Sequence, residues 1–80
     1  MKTTSQRIAQ CFSNVFPNLS LDEIPRASTA SVAAWDSVAH ITLLSAIAEE
    51  FQFEFSPEDF EQLISFPLIA DYVEQHINHG

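Results

Sequence analysis

Glycine is almost missing from this 80-residue chain; its one glycine is the last residue, Gly80. No glycine-rich turn is available to cradle a phosphate, which excludes the nucleotide-binding motifs built on one. Basic residues are nearly as scarce, three Lys and Arg against eleven Asp and Glu, for a formal net charge of -8. Such a surface repels phosphate backbones and has no basic patch from which counterions could be released, so nucleic acid is not an expected partner. The same field aids solubility and steers the chain towards basic patches on other proteins. A lone cysteine, Cys11, cannot form an internal disulfide, so folding rests on packing and a reducing compartment is expected. Long apolar runs are absent too, and the stretch from Met1 to Arg7 is polar. Neither a signal peptide nor a membrane span is read from it, and a soluble cytoplasmic monomer is the expectation.

Catalytic equipment is equally thin. Cys11 sits beside Phe12 in a helical pattern with no histidine nearby, and reads as a buried thiol. His76 and His79 are three apart while His40 is distant; with no thiolate or carboxylate at ligand spacing the three do not specify a metal site, and terminal solvated histidines are expected. Glu49 and Glu50, and Glu58, Asp59 and Glu61, are explained as acids of helix ends and solvated turns. No nucleophile and base can be paired, so the chain is not expected to be an enzyme.

What is present is helical periodicity, in a chain that is 46% hydrophobic and long enough for one domain, residues 1–80. Ile8, Phe12, Val15 and Phe16 predict a first helix over about 5–16, capped by Thr4 or Ser5 and ended by Pro17. Residues 17–35 hold Pro17, Pro25 and many Ser, Thr and Asn without a period, and predict a long loop pinned by Leu19, Leu21, Ile24 and Val32. Asp36 is a natural cap for a second helix over about 36–51, with Val38, Ile41, Leu44, Ile47, Ala48 and Phe51 as its inward stripe and Leu43 widening it. The alternation of Phe51, Phe53 and Phe55 mimics a strand, but nothing could pair with it, so an extended linker is expected. Ser56-Pro57-Glu58-Asp59 opens a short third helix, about 57–63. Ser65 caps a fourth over about 65–77, with Phe66, Ile69, Tyr72, Val73 and Ile77 inward and the last residues fraying.

Ser37 stands apart by position: it follows a capping aspartate, opens the most regular helix, and closes the long loop. Free amides and the positive end of the helix dipole favour a phosphate at such a place. A serine there is also common for capping alone, and the dipeptide Asp36-Ser37 specifies nothing by itself.

The wider frame does. Trp35-Asp36-Ser37-Val38-Ala39-His40-Ile41-Thr42-Leu43-Leu44-Ser45-Ala46-Ile47-Ala48-Glu49-Glu50-Phe51, then Phe55-Ser56-Pro57-Glu58-Asp59-Phe60, then Phe66 to Val73, resembles the acyl carrier protein family over nearly the whole chain. The family's Asp-Ser-Leu signature appears as Asp36-Ser37-Val38. The resemblance implies an all-α four-helix bundle with a long first loop and a short third helix. It also implies that Ser37 takes a covalent 4'-phosphopantetheine from coenzyme A, delivered by a phosphopantetheinyl transferase. Acyl groups would ride on that arm as thioesters between loading and processing enzymes such as a ketosynthase or an acyltransferase. Partners would recognise the second helix and the loop before it, with Asp36, Val38, Glu49 and Glu50 as the recognition candidates.

The chain departs from the family's pattern in three ways. Ala39, His40, Thr42 and Ala48 occupy a stretch that primary fatty acid carriers make more acidic; Val38 replaces the usual leucine; and Gln52 stands where many relatives have glycine. These departures point to a dedicated fatty acid, polyketide or secondary-metabolite pathway, and the seven phenylalanines argue for a full core with little room for a sequestered chain. The alternatives are a peptidyl or aminoacyl carrier domain, which the strong acidity disfavours, and an unmodified helical adaptor, which the intact Ser37 disfavours. The start at Met1 leads to the expectation of a free-standing chain.

Overall fold

The computed structural model describes residues 3–77, so the expectations placed on His79 and on the fraying of Asn78 and Gly80 lie outside the described residues. The described chain is all-α: α1 (Thr4–Val15), α2 (Ser37–Phe51), α3 (Pro57–Phe60) and α4 (Phe66–Ile77), with a 3-10 turn at Ile24–Arg26. No helix among these residues is long and apolar enough to cross a membrane.

The cap of α1 is Thr3, where Thr4 or Ser5 was expected. Thr3 Oγ1 accepts from the Gln6 amide at 3.1 Å and Gln6 Oε1 accepts from the Thr3 amide at 2.9 Å, a reciprocal box that needs a Gln three residues on. Pro17 disfavours helical dihedrals at the residue before it, and Phe16 leaves the helix at φ -122°, ψ 75°. The face of α1 formed by Ile8, Cys11 and Phe12, continued by Phe16, is buried against α2 and α4.

The long connection is pinned, though not by all of the expected side chains. Ile24 and Ala27 are buried and Leu19 and Val32 half-buried, whereas Leu21 is 71% exposed. Its backbone is tied as well: the Thr29 amide donates to the Ile64 carbonyl and the Phe66 amide to the Ala27 carbonyl, both at 2.9 Å, around an isolated antiparallel bridge between Ser28 and Ser65. Glu23 accepts from the Ser20 hydroxyl at 2.8 Å and the Ser20 amide at 3.2 Å, which holds its carboxyl below the usual carboxylate range. That turn is supported at neutral pH, and the support fades as pH falls through the lowered value.

In α2 the inward residues are Leu43, Leu44 and Ile47, with Phe51 half-buried. Val38 and Ile41, expected on the inward stripe, are 73% and 56% exposed. The stripe drifts because 3.6 residues per turn carry the 3, 3, 3 spacing steadily backwards around the cylinder, so its first two members leave the buried sector that Leu43, Leu44 and Ile47 define. The helix ends at Gln52, which is left-handed at φ 57°, ψ 51°, the one positive φ among the described residues. The Ala48 carbonyl accepts from both the Gln52 and the Phe53 amides, as in a Schellman-type stop. A side chain with a Cβ is strained in that conformation, and glycine is not. Gln52→Gly is expected to stabilise the fold by about 0.5–1 kcal/mol, less whatever glycine adds to the freedom of the unfolded chain. Thermal melting followed by circular dichroism reads this as a rise of a few degrees in Tm; a fall would show that the left-handed turn is not under strain.

Phe53 and Phe55 lie in neither helix nor strand; Phe55 stacks on Tyr72 with ring centroids 5.2 Å apart, and Phe53 meets the same ring tilted, at 6.3 Å. Helix α3 stops at Phe60, three residues short of expectation, because Leu63 turns into the core and Ile64 must straighten to meet Thr29. Ser65 caps α4, its hydroxyl accepting from the Leu68 amide at 3.3 Å, and Phe66, Ile69 and Val73 line the buried face while Tyr72 and Ile77 are half-buried. Four rings meet at the centre. Phe12 lies 5.4 Å from Trp35, edge on, and 5.3 Å from Phe66, and Phe16 lies 5.9 Å from Trp35. No buried polar side chain among the described residues lacks a hydrogen-bond partner.

Candidate functional site at the head of the second helix

Trp35 is 4% exposed and anchors the end of the long loop in the aromatic centre, so the two residues after it are forced outward. Asp36 then caps α2: its Oδ1 accepts from the Ala39 amide at 2.9 Å, and its carbonyl accepts from the His40 amide at 2.8 Å. Ser37 is the first helical residue and is exposed. Its hydroxyl makes no hydrogen bond to another described residue, and the amides of Ser37 and Val38, at the first two helical positions, have no carbonyl four residues back in the helix to bond. The side chain that stabilises the helix start is therefore Asp36, and the Ser37 oxygen takes no part in it.

An open cleft of about 350 Å³ lies beside Ser37, lined by Thr29, Trp35, Asp36, His40, Glu61 and Ile64. One wall is the head of α2 and the other is the segment that the backbone bridge ties to the long loop. His40, given no role from the sequence beyond not specifying a metal site, is half-buried, with both ring nitrogens occupied: Nδ1 accepts from the Trp35 indole N–H at 2.9 Å, and Nε2 lies 2.7 Å from the Phe60 carbonyl. The signal that could have found it is the indole. A buried tryptophan needs an acceptor for its N–H, and His40, five residues on, is the polar side chain in reach.

The expected recognition residues divide into two groups. Asp36, Ser37 and Val38 are neighbours at the head of α2. Glu49 and Glu50 lie twelve and thirteen residues further along, about 18 Å from Ser37 at the rise of an α-helix. Glu50 is also engaged within the fold: Arg7 Nε donates to its Oε2 at 2.8 Å and Arg7 Nη2 to its carbonyl at 2.9 Å. The same guanidinium lies 4.3 Å over the Phe51 ring. The outward face between Ser37 and Glu49 carries Val38, Ile41, Thr42 and Ser45, none of them charged.

The other chemical candidates stand apart from the cleft. Cys11 is buried in α1; burial pushes its thiol up, Glu50 adds to this and Arg7 opposes it, which disfavours the thiolate. Among the described residues no cluster of three His, Cys, Asp or Glu could hold a metal ion. His76 is exposed beside Tyr72, its Nδ1 donating to the Tyr72 carbonyl at 2.8 Å. Compared with known protein-family models and with curated proteins, the chain finds no match in either.

Proposed function

We propose that the chain is an acyl carrier protein with an acyl-carrier-like four-helix arrangement, whose Ser37 hydroxyl receives 4'-phosphopantetheine from coenzyme A through a partner transferase. The observation that carries this reading is the division of labour at the head of α2, where Asp36 supplies the cap and the exposed Ser37 hydroxyl has no structural duty. The sequence frame from Trp35 to Phe51 supports it.

The residues fit such a group. The helix end contributes about 0.3–1 kcal/mol towards an anion on Ser37, while the Asp36 carboxylate repels one by up to about 1 kcal/mol at 4 Å in water. The two nearly cancel, so a phosphodiester is tolerated at Ser37 without being gripped, as suits an arm that must swing. When bound, the arm would supply the terminal thiol that holds acyl groups as thioesters. The chain itself makes no bonds; it holds the oxygen out and offers partners a surface. The rings of Phe12, Phe16, Trp35 and Phe66 fill the centre, so cargo is carried outside the core.

The test is intact mass after treatment with coenzyme A and a broad-specificity transferase, comparing the native chain with Ser37→Ala. Recognition follows from the same geometry. Val38 projects beside Ser37 on an uncharged stretch of α2, so partner enzymes of the pathway, such as a ketosynthase or an acyltransferase, meet an apolar contact there next to the Asp36 carboxylate. Val38→Asp is expected to lower kcat/KM for transfer to a partner at least tenfold, as loss of a central apolar contact does. Stability is spared, because an acid at the second helical position suits the dipole. A change under twofold in the transfer assay would remove Val38 from the recognition surface.

A further inference from the structure

The His40 ring joins three segments that the chain otherwise leaves to pack separately: the end of the long loop, the first turn of α2, and α3. The indole of Trp35 can only donate, so His40 Nδ1 must present a lone pair; the carbonyl of Phe60 can only accept, so Nε2 must carry the proton. One neutral tautomer satisfies both at once. The ring is also packed on both sides, 5.9 Å from Trp35 at 31° and 4.9 Å from Phe60 edge on. Trp35 is the residue whose burial pushes Asp36 and Ser37 outward, and Glu61, next to Phe60, lines the opposite wall of the cleft.

We propose that His40 is a positioning residue for Ser37: its two ring nitrogens latch Trp35 to the Phe60 carbonyl, fixing both walls of the cleft into which the Ser37 hydroxyl opens. This rests on the carrier reading for its functional consequence, though the latch itself does not. The coupling is mechanical. Without it Trp35 keeps its aromatic neighbours but loses the bond that sets its rotation, and α3, only four residues long, loses the one side-chain tie from α2 to its last carbonyl. The loop from Trp35 to Ser37 and the far wall then move independently, and a transferase meets the serine in a spread of orientations.

Four variants test the latch. His40→Phe keeps a ring and removes both hydrogen bonds. His40→Asn places an amide oxygen where Nδ1 was and can restore the bond to Trp35, and His40→Gln places an amide N–H near the Nε2 position and can restore the bond to Phe60. Val73→Ala weakens the core at a buried residue that does not line the cleft and serves as the control for stability alone. Loading of Ser37 is measured at a temperature where all are folded by circular dichroism. His40→Phe is expected to lose at least about tenfold in kcat/KM, a normal penalty for a misplaced reacting group, with partial recovery in His40→Asn or His40→Gln and no loss in Val73→Ala. Equal loading of His40→Phe and Val73→Ala overturns the proposal. If the native chain is not modified at all, the carrier reading fails on its own, and the latch is judged by hydrogen exchange of the Trp35 indole. Exchange about tenfold faster in His40→Phe than in Val73→Ala upholds the latch, and equal exchange overturns it.

Discussion

Treated with coenzyme A and a transferase, the native chain gains the mass of one arm and Ser37→Ala gains none. The comparison reads chemistry and not folding, because the hydroxyl contributes nothing to the helix start that Asp36 does not already supply. Alanine has the best helical propensity, so the first position of α2 loses no stability on substitution, and the two chains are expected to melt together. Ser45→Ala is the matching control, an exposed serine on the same helix that should leave modification intact. Equal gain by native chain and Ser37→Ala would move the attachment elsewhere. No gain by a properly folded native chain would remove the carrier reading and leave a helical binding module.

The helices were legible because their signals are local. The spacing of Ile8, Phe12 and Phe16, the cap at Asp36 and the Ser56-Pro57 start each involve a few neighbouring residues, and the observed helix ends near them fall within a residue or two of the expected ones. What was not legible depends on distant partners. Leu63 leaves α3 early because Ile64 pairs with Thr29, thirty-five residues back, and nothing near Leu63 announces it. Val38 and Ile41 look like core residues in a list of apolar positions; only the buried sector of α2, set by where α1 packs, turns them outward.

The site divides in the same way. Ser37 was singled out from its place after Asp36, and the structure adds that Asp36 carries the cap alone. Glu50 was read as a recognition acid, and the structure adds that it pairs with Arg7, a residue from another helix. An exposed ion pair of this kind is worth no more than about 1 kcal/mol, so its importance is in fixing where α1 meets the end of α2. His40 was given no place in the site, because its two hydrogen bonds exist only once Trp35 is buried and α3 ends at Phe60. A histidine's function is set by what faces its two nitrogens, and neither partner can be assigned from periodicity.

Phe12→Ala is expected to remove much of the stability of the chain. Phe12 is fully buried and its ring meets Phe16, Trp35 and Phe66, one each from the end of α1, the long loop and α4. Truncating such a ring loses its transfer free energy and leaves a cavity, about 3–5 kcal/mol together. A domain of this size has only about 4–12 kcal/mol in total, so the variant falls to marginal stability or unfolds at 25 °C. Trp35, the single tryptophan, reports on the same spot: its fluorescence in urea should show a midpoint far below that of the native chain, and Phe12→Leu should fall between the two. The consequence reaches the candidate site, because Trp35 holds Asp36 and Ser37 outward only while Phe12 supports its face. Partial loosening should therefore slow loading of Ser37 before the helices melt. A Phe12→Ala chain that keeps the native urea midpoint would show that the aromatic centre does not hold the fold, and the placement of Ser37 would need another cause.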